Sequence, residues 1–160
     1  MKNVTITVSS VTDGEALAEF SVCGKLHYTP ERTVLSYEEK GDMGATSCRV
    51  DITDGRVEVR RHGAVRCKMI LIYSEMLPFS YEPPYGVFDM AAKCTEIASN
   101  LTENGGELLL RYELYTNHEI VSRNALFFKI CSMFFLLLSV ALHSLSQKRI
   151  LYTVPTRLKL

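Results

Sequence analysis

The sequence lacks an excess of charge of either sign. Lysines plus arginines and aspartates plus glutamates number 18 each in the 160 residues. A chain without net charge has no general electrostatic field with which to hold nucleic acid or an acidic membrane surface. Nucleic acid is therefore not an expected partner. The chain has the length of one domain with one hydrophobic core.

Closely spaced cysteines and histidines are also lacking. The cysteines are odd in number and far apart in sequence, at Cys23, Cys48, Cys67, Cys94 and Cys131. This spacing argues against a disulfide framework and a zinc site, and the histidines fall in separate segments. We expect no bound metal and reduced thiols in a cytoplasm, with Cys48 and Cys67 buried among core residues.

Export and catalytic signals are absent as well. Residues 1–8 alternate polar and apolar side chains and do not form the continuous apolar run of a signal peptide. The sequence contains no Gly-x-Ser-x-Gly elbow, Walker loop or dinucleotide-binding fingerprint. Glu38 and Glu39 would point to opposite faces of a strand, so they cannot act as a paired acid and base. An enzyme is the least supported class, and no cofactor is predicted.

What the sequence does have is alternation with a period of two. Val4, Ile6 and Val8 share one face of a first strand, and the same pattern recurs between tight turns along most of the chain. Asp54-Gly55 is the strongest hairpin signal. About nine or ten short strands are expected, and closure of their sheet would remove its exposed edges. The sequence therefore predicts an all-β fold, either a barrel or a sandwich, with a single closed antiparallel barrel of about 8–10 strands favoured.

Two stretches interrupt the alternation. Ser74–Pro84 contains three prolines, which predicts a loop or an irregular edge and not a central strand. Residues 86–99 indicate either two short strands or one bent strand, with a break near Met90–Ala92.

Short pieces of the sequence, in their order and spacing, resemble the YwiB-like family of uncharacterised bacterial proteins. The pieces are Tyr37–Glu39, Gly44–Thr46, Arg61–Val65 with Met69, Tyr81, Pro83–Gly86, Asn104–Glu107 with Tyr112, and Asn124–Ile130. The resemblance implies a lipocalin-like (calycin) barrel over residues 1–130. It supplies no catalytic residues, and it suggests a ligand cavity only by analogy with other barrels of this kind.

Arg61 is the most informative candidate for a site. It follows Val57 and Val59 on the apolar face of its strand, where an unpaired guanidinium is costly to bury. Tyr37 and Glu39 share the inward face of their own strand and are the expected partners. The group is either a polar handle for a ligand carboxylate or phosphate, or a structural ion pair, or an arginine that leaves the barrel at its rim.

Aromatic side chains cluster around the proline-bearing segment. Tyr73, Phe79, Tyr81 and Tyr85 either line a cavity mouth or pack the segment against the barrel wall. With Arg61, Tyr37 and Glu39, Tyr85 completes the set of predicted ligand-binding residues.

These features predict a non-catalytic cytosolic barrel that binds a small, partly apolar or amphipathic molecule. The alternative is a protein-interaction or structural module, filled by its own side chains and acting through a surface such as the segment 74–85. A connected interior of roughly a few hundred cubic ångströms would favour the first interpretation, whereas an interaction module needs none.

Residues 131–160 depart from the barrel pattern. Cys131–Leu142 has no charged residue, and a basic end follows it. A membrane-spanning helix needs about 20 apolar residues. A helix of that length would have to include Ala125–Ile130, which are already assigned to the closing strand. Membrane association through residues 131–142 is one interpretation. The other interpretation, which we favour, is that a shifted reading frame or a lost stop codon appended unselected sequence. A helix over roughly Met133–Ser146 is compatible with both interpretations.

Overall fold

The protein forms a closed barrel of ten antiparallel strands. The computed structural model describes residues 1–133. Each strand pairs with its neighbours in chain order, and the first strand closes the barrel against the last. The strands are β1 (Lys2–Thr12), β2 (Glu15–Tyr28), β3 (Arg32–Gly41), β4 (Gly44–Thr53), β5 (Arg56–Gly63), β6 (Arg66–Ile72), β7 (Met76–Glu82), β8 (Phe88–Ser99), β9 (Gly105–Thr116) and β10 (Glu119–Ser132). The predicted antiparallel barrel is confirmed.

The hairpin turns follow the local sequence signals. Asp13 and Gly14 have φ angles of 51° and 84°, and Gly55 of the Asp54-Gly55 turn has a φ of 68°. Consecutive residues with positive φ suit the twist of two antiparallel strands. The turn between β9 and β10 is made without glycine, by Asn117 and His118 at 50° and 66°.

The inward-facing side chains form two layers along the barrel axis. At the packed end, where β2, β4, β6 and β8 finish, fully buried side chains fill the interior; among them are Ile6, Leu26, Leu35, Val50, Val57, Leu71, Leu108 and Leu110. At the cavity end, where β1, β3, β5, β7 and β9 finish, the inward side chains enclose open space. The barrel therefore contains a cavity that is closed at one end by the hydrophobic core.

Of the two structures predicted for Ser74–Pro84, a loop is wrong, whereas an irregular edge describes the segment better. Residues 76–82 form β7, which pairs with β8 at six positions but with β6 only at Cys67–Tyr81 and Arg66–Glu82. Pro78 has no N–H group to donate, and it lies where β7 has no paired residue on β6. A proline is tolerated in a strand where one edge is left unpaired.

The strands β8 and β10 also differ in detail from expectation. β8 is one strand, and its irregularity is a register shift between Cys94 and Glu96 instead of a break near Met90–Ala92. β10 continues two residues past Ile130, since Cys131 pairs with Thr5 and Ser132 with Val4. The closing strand therefore includes the first residues of the segment that departs from the sequence pattern.

Residues 134–160 lie outside the described part of the chain, and with them almost all of the predicted helix and most of the apolar segment. Within residues 1–133, no helix is long and apolar enough to cross a membrane.

Candidate functional site

An ion pair between Arg61 and Glu39 lies at the cavity end of the barrel. Arg61 reaches the interior because Val57 and Val59 precede it on the inward face of β5, and Glu39 does so through the corresponding alternation of β3. The Arg61 Nη2 atom donates a hydrogen bond to Glu39 Oε2. The predicted inward orientation of Arg61, with its guanidinium beside Glu39, is confirmed.

The intervening strand β4 contributes Cys48, which is paired in register with both Tyr37 and Arg61. The Cys48 thiol lies 3.5 Å from Glu39 Oε2 and 3.8 Å from the Thr46 carbonyl oxygen, to either of which it can donate. Burial raises the pKa of the Cys48 thiol despite the nearby guanidinium. The thiol is therefore protonated near neutral pH and acts as a hydrogen-bond donor, not as a nucleophile.

The ion pair is shielded from solvent only in part. The side chains of Arg61 and Glu39 are 29% and 26% exposed. Burial lowers the pKa of Arg61, but the hydrogen bond and the charge of Glu39 raise it by more, so the pKa lies above its usual range. Arg61 is permanently cationic, and solvent can reach the polar end of the interior.

The cavity above the core has a volume of about 410 Å³. Its walls are mostly apolar and include Val8, Phe20, Val59, Met69, Phe79, Leu114, Leu126 and Phe128. The ionic groups Glu39 and Arg61 lie among uncharged polar side chains, which are Ser10, Tyr37, Cys67, Tyr81 and Tyr112. This combination of an apolar body with a few convergent polar groups is typical of a small-molecule site.

The tyrosines and the cysteine in the cavity wall are uncharged at neutral pH. Burial raises the pKa of Tyr112 to about 12 and that of Cys67 to about 11. Burial also raises the pKa of Tyr37 and, to a smaller extent, that of Tyr81. The four side chains therefore present neutral hydroxyl and thiol groups to the interior.

The structure brings together three of the four predicted site residues. Tyr37, Glu39 and Arg61 all line the cavity. Tyr85 does not; it is 72% exposed and packs edge-on against Phe88, with ring centroids 6.0 Å apart. Tyr85 lies in the connection between β7 and β8, beyond the last inward residue of either strand.

Sequence reasoning does not single out Tyr112, which also lines the cavity. Tyr112 follows Leu108 and Leu110 on the inward face of β9, so the alternation was a usable signal for it. Phe79 and Tyr81, for which the sequence left open whether they line a cavity mouth or pack against the barrel wall, do line the cavity, although the prolines around them hid the strand that carries them. Expected burial is confirmed for Cys48, whereas Cys67 is only half-buried.

The histidines of the described segment lie outside the cavity. His27, His62 and His118 are exposed, as predicted for strand and turn residues. Over residues 1–133, no three His, Cys, Asp or Glu side chains are placed to hold a metal ion. All five cysteines are free thiols.

Comparisons with known proteins agree with the barrel. The model of a domain of unknown function, DUF1934, matches residues 4–127. An uncharacterised β-barrel protein of Bacillus subtilis strain 168, YwiB, is 25% identical over 119 residues, which are 72% of this chain and 84% of that protein.

A solved structure extends this similarity to the fold. The crystal structure of the YwiB protein from Bacillus subtilis matches with a TM-score of 0.73 at 23% identity, covering 82% of this chain and 92% of that one. At this level of identity the likeness concerns the fold, and the site must be interpreted from its own residues.

Proposed function

Because the chain belongs to the DUF1934 family, a family without an assigned function, we propose from the site alone that the barrel binds one small, partly apolar molecule in its cavity. The carrying observation is an open interior of about 410 Å³ with one ion pair, Arg61–Glu39, at its accessible end. Ligand pockets range from about 300 to 1,000 Å³. The cavity is therefore large enough for a small molecule and too small for a long lipid.

The ion pair supports a role in orienting the ligand. Arg61 donates to Glu39 through Nη2, which uses one of the five N–H groups of the guanidinium, so further N–H groups remain for the cavity. The apolar walls supply binding energy by desolvation, whereas the polar group fixes the direction in which a ligand enters. We further propose a cytoplasmic location, which five thiols without a disulfide support.

The alternative of a filled interaction module is less well supported. A barrel packed throughout by its own side chains would leave no room above the core, whereas here the inward side chains at the cavity end enclose about 410 Å³. Exposed Tyr85, Val87 and Phe88 between β7 and β8 are the surface that such a module would use.

The binding proposal is tested with N-phenyl-1-naphthylamine, a neutral apolar probe that becomes fluorescent in dry surroundings. The wild-type protein should bind one probe per chain, with a Kd in the micromolar range. Met90 lines the cavity, and a flexible methionine position usually tolerates substitution without loss of the fold. Met90→Trp places a large ring in the cavity and should weaken probe binding at least about tenfold.

Val87→Trp is the matched control, because Val87 is exposed and lies three residues away outside the cavity. This variant should bind the probe like the wild type. Equal binding by both variants, or no binding by the wild type, would overturn the proposal. If the probe binds as expected, native mass spectrometry of the purified protein will show whether a small molecule from the cell occupies the cavity.

A further inference from the structure

The cavity carries no net charge. Glu39 and Arg61 are the two ionic side chains among its lining residues, and they are joined to each other. The remaining polar groups are hydroxyls and a thiol. Any ionic group that a ligand brings into the cavity therefore has no unshared counter-ion among the lining residues.

Both halves of the ion pair keep hydrogen-bonding capacity. Within residues 1–133, Oε2 of Glu39 accepts from Arg61 and from the Cys48 thiol, whereas Oε1 accepts from no side chain. The guanidinium of Arg61 has five N–H groups, and its hydrogen bond to Glu39 is made by Nη2 alone. The polar end of the cavity thus presents N–H donors and a carboxylate acceptor side by side.

The hydroxyl groups of Tyr81 and Tyr112 add uncharged hydrogen-bonding groups to the cavity wall. Tyr81 and Tyr112 make no side-chain hydrogen bonds within the described residues, and no fully buried polar side-chain atom there lacks a partner. Their hydroxyls therefore face accessible space in the cavity, where each can donate or accept. A matching ligand group must also do both.

We propose that the ligand is a small apolar molecule whose polar end is an uncharged group that both donates and accepts hydrogen bonds, such as a primary amide. This inference rests on the proposed function and narrows it. An ionised carboxylate would lie beside Glu39 and compete with it for Arg61. An ammonium group would lie beside Arg61. Either charge loses part of its hydration without a counter-ion of its own, which costs more than placing a neutral group there.

The test is a matched series of naphthalene probes that differ only in the polar group. The probes are naphthalene-2-carboxamide, naphthalene-2-carboxylate and 2-naphthylmethylammonium, each titrated at pH 7. The chain has no tryptophan, so naphthalene fluorescence can be followed with only tyrosine in the background. The amide should bind at least about tenfold more tightly than either ion.

Glu39→Gln removes the only carboxylate among the described cavity-lining residues and gives the lining a net positive charge. It leaves the Arg61 cation without its carboxylate, so the ranking should change in favour of the carboxylate probe by about tenfold or more. Glu38→Gln is the control, because Glu38 is the exposed neighbour on the outer face of the same strand. This variant should keep the wild-type ranking.

The outcomes separate this inference from the proposed function. If the wild type binds the carboxylate or the ammonium as well as the amide, the charge argument fails while cavity binding stands. If no naphthalene probe and no N-phenyl-1-naphthylamine binds, both proposals fail. If Glu39→Gln is too unstable to titrate, the wild-type ranking of the three probes decides alone.

Discussion

Arg61 of β5 and Glu39 of β3 form their ion pair across the intervening strand β4. Glu39 is paired in register with Thr46, and Arg61 with Cys48, so the two side chains meet diagonally inside the barrel. This pair links three strands near the cavity end, above the layer where apolar packing holds the barrel together.

Removing one member of the pair should destabilise the protein. Arg61→Met leaves Glu39 in the cavity without its cation, and we expect the free energy of unfolding to fall by about 2 kcal/mol. Fully buried pairs lose about 3–5 kcal/mol, and this pair is partly exposed. Urea unfolding of Arg61→Met, Glu39→Gln and the double variant gives the coupling energy. A coupling indistinguishable from zero would show that the pair does not contribute to stability.

Gly24 is required where β2 approaches β3. A Cβ atom at this position would lie 2.5 Å from Cδ1 of Ile6 and 2.8 Å from the Ser36 carbonyl oxygen. Since backbone cannot move aside easily, Gly24→Ala should lower the free energy of unfolding by about 1–3 kcal/mol. Gly41→Ala is the control, because a Cβ there meets no atom within 4 Å. Similar urea midpoints for the two variants would contradict this account.

The acid sensitivity of the barrel should depend on Glu58. Glu58 is only 5% exposed, on the outer wall, and accepts hydrogen bonds from Arg56 and Arg60. Burial raises the pKa of its carboxyl, but those two hydrogen bonds together with nearby positive charge lower it by more, and the net shift is downward. Its contribution is present above the ordinary carboxyl pKa of about 4.3 and is lost as the pH falls through the lowered value.

Glu58→Gln should therefore flatten the decline in stability below about pH 4.3. The measurement is the urea midpoint between pH 7 and pH 3, for this variant, for the wild type and for the exposed-residue control Glu31→Gln. An unchanged slope in Glu58→Gln would assign the acid sensitivity to other carboxyls, of which Asp51 beside Arg32 is the first candidate.

The chain shortened to residues 1–132 should fold. All described strand pairs, including Ser132 with Val4, remain in it. We also expect the chain ending at Ile130 to fold, with a small loss of stability because two closing pairs are removed. Circular dichroism checks both. Loss of the β-type spectrum at 1–132 would show that residues 133–160 belong to the fold, and fractionation of cells with both lengths tests the membrane interpretation.

Sequence alone determined most of the barrel and the central part of the site. Alternation assigned Val4, Ile6 and Val8 to the interior, and turn residues such as Asp54-Gly55 placed the hairpins. The same parity placed Tyr37, Glu39 and Arg61 on inward faces. These results follow from local rules, since successive side chains of a strand point to opposite sides and few residues suit a tight turn.

How far along the barrel axis each inward residue lies is set by the closed barrel and cannot be read from the sequence. Leu108 and Tyr112 share one face of β9, yet Leu108 belongs to the core and Tyr112 to the cavity wall. The sequence predicts Tyr85 in the site, but it lies outside the cavity, and Pro78 lies inside a strand because β6 leaves that edge unpaired. Parity specifies the face of a strand, whereas register between strands distant in sequence sets the height, so the volume and lining of the cavity emerge only when the barrel closes.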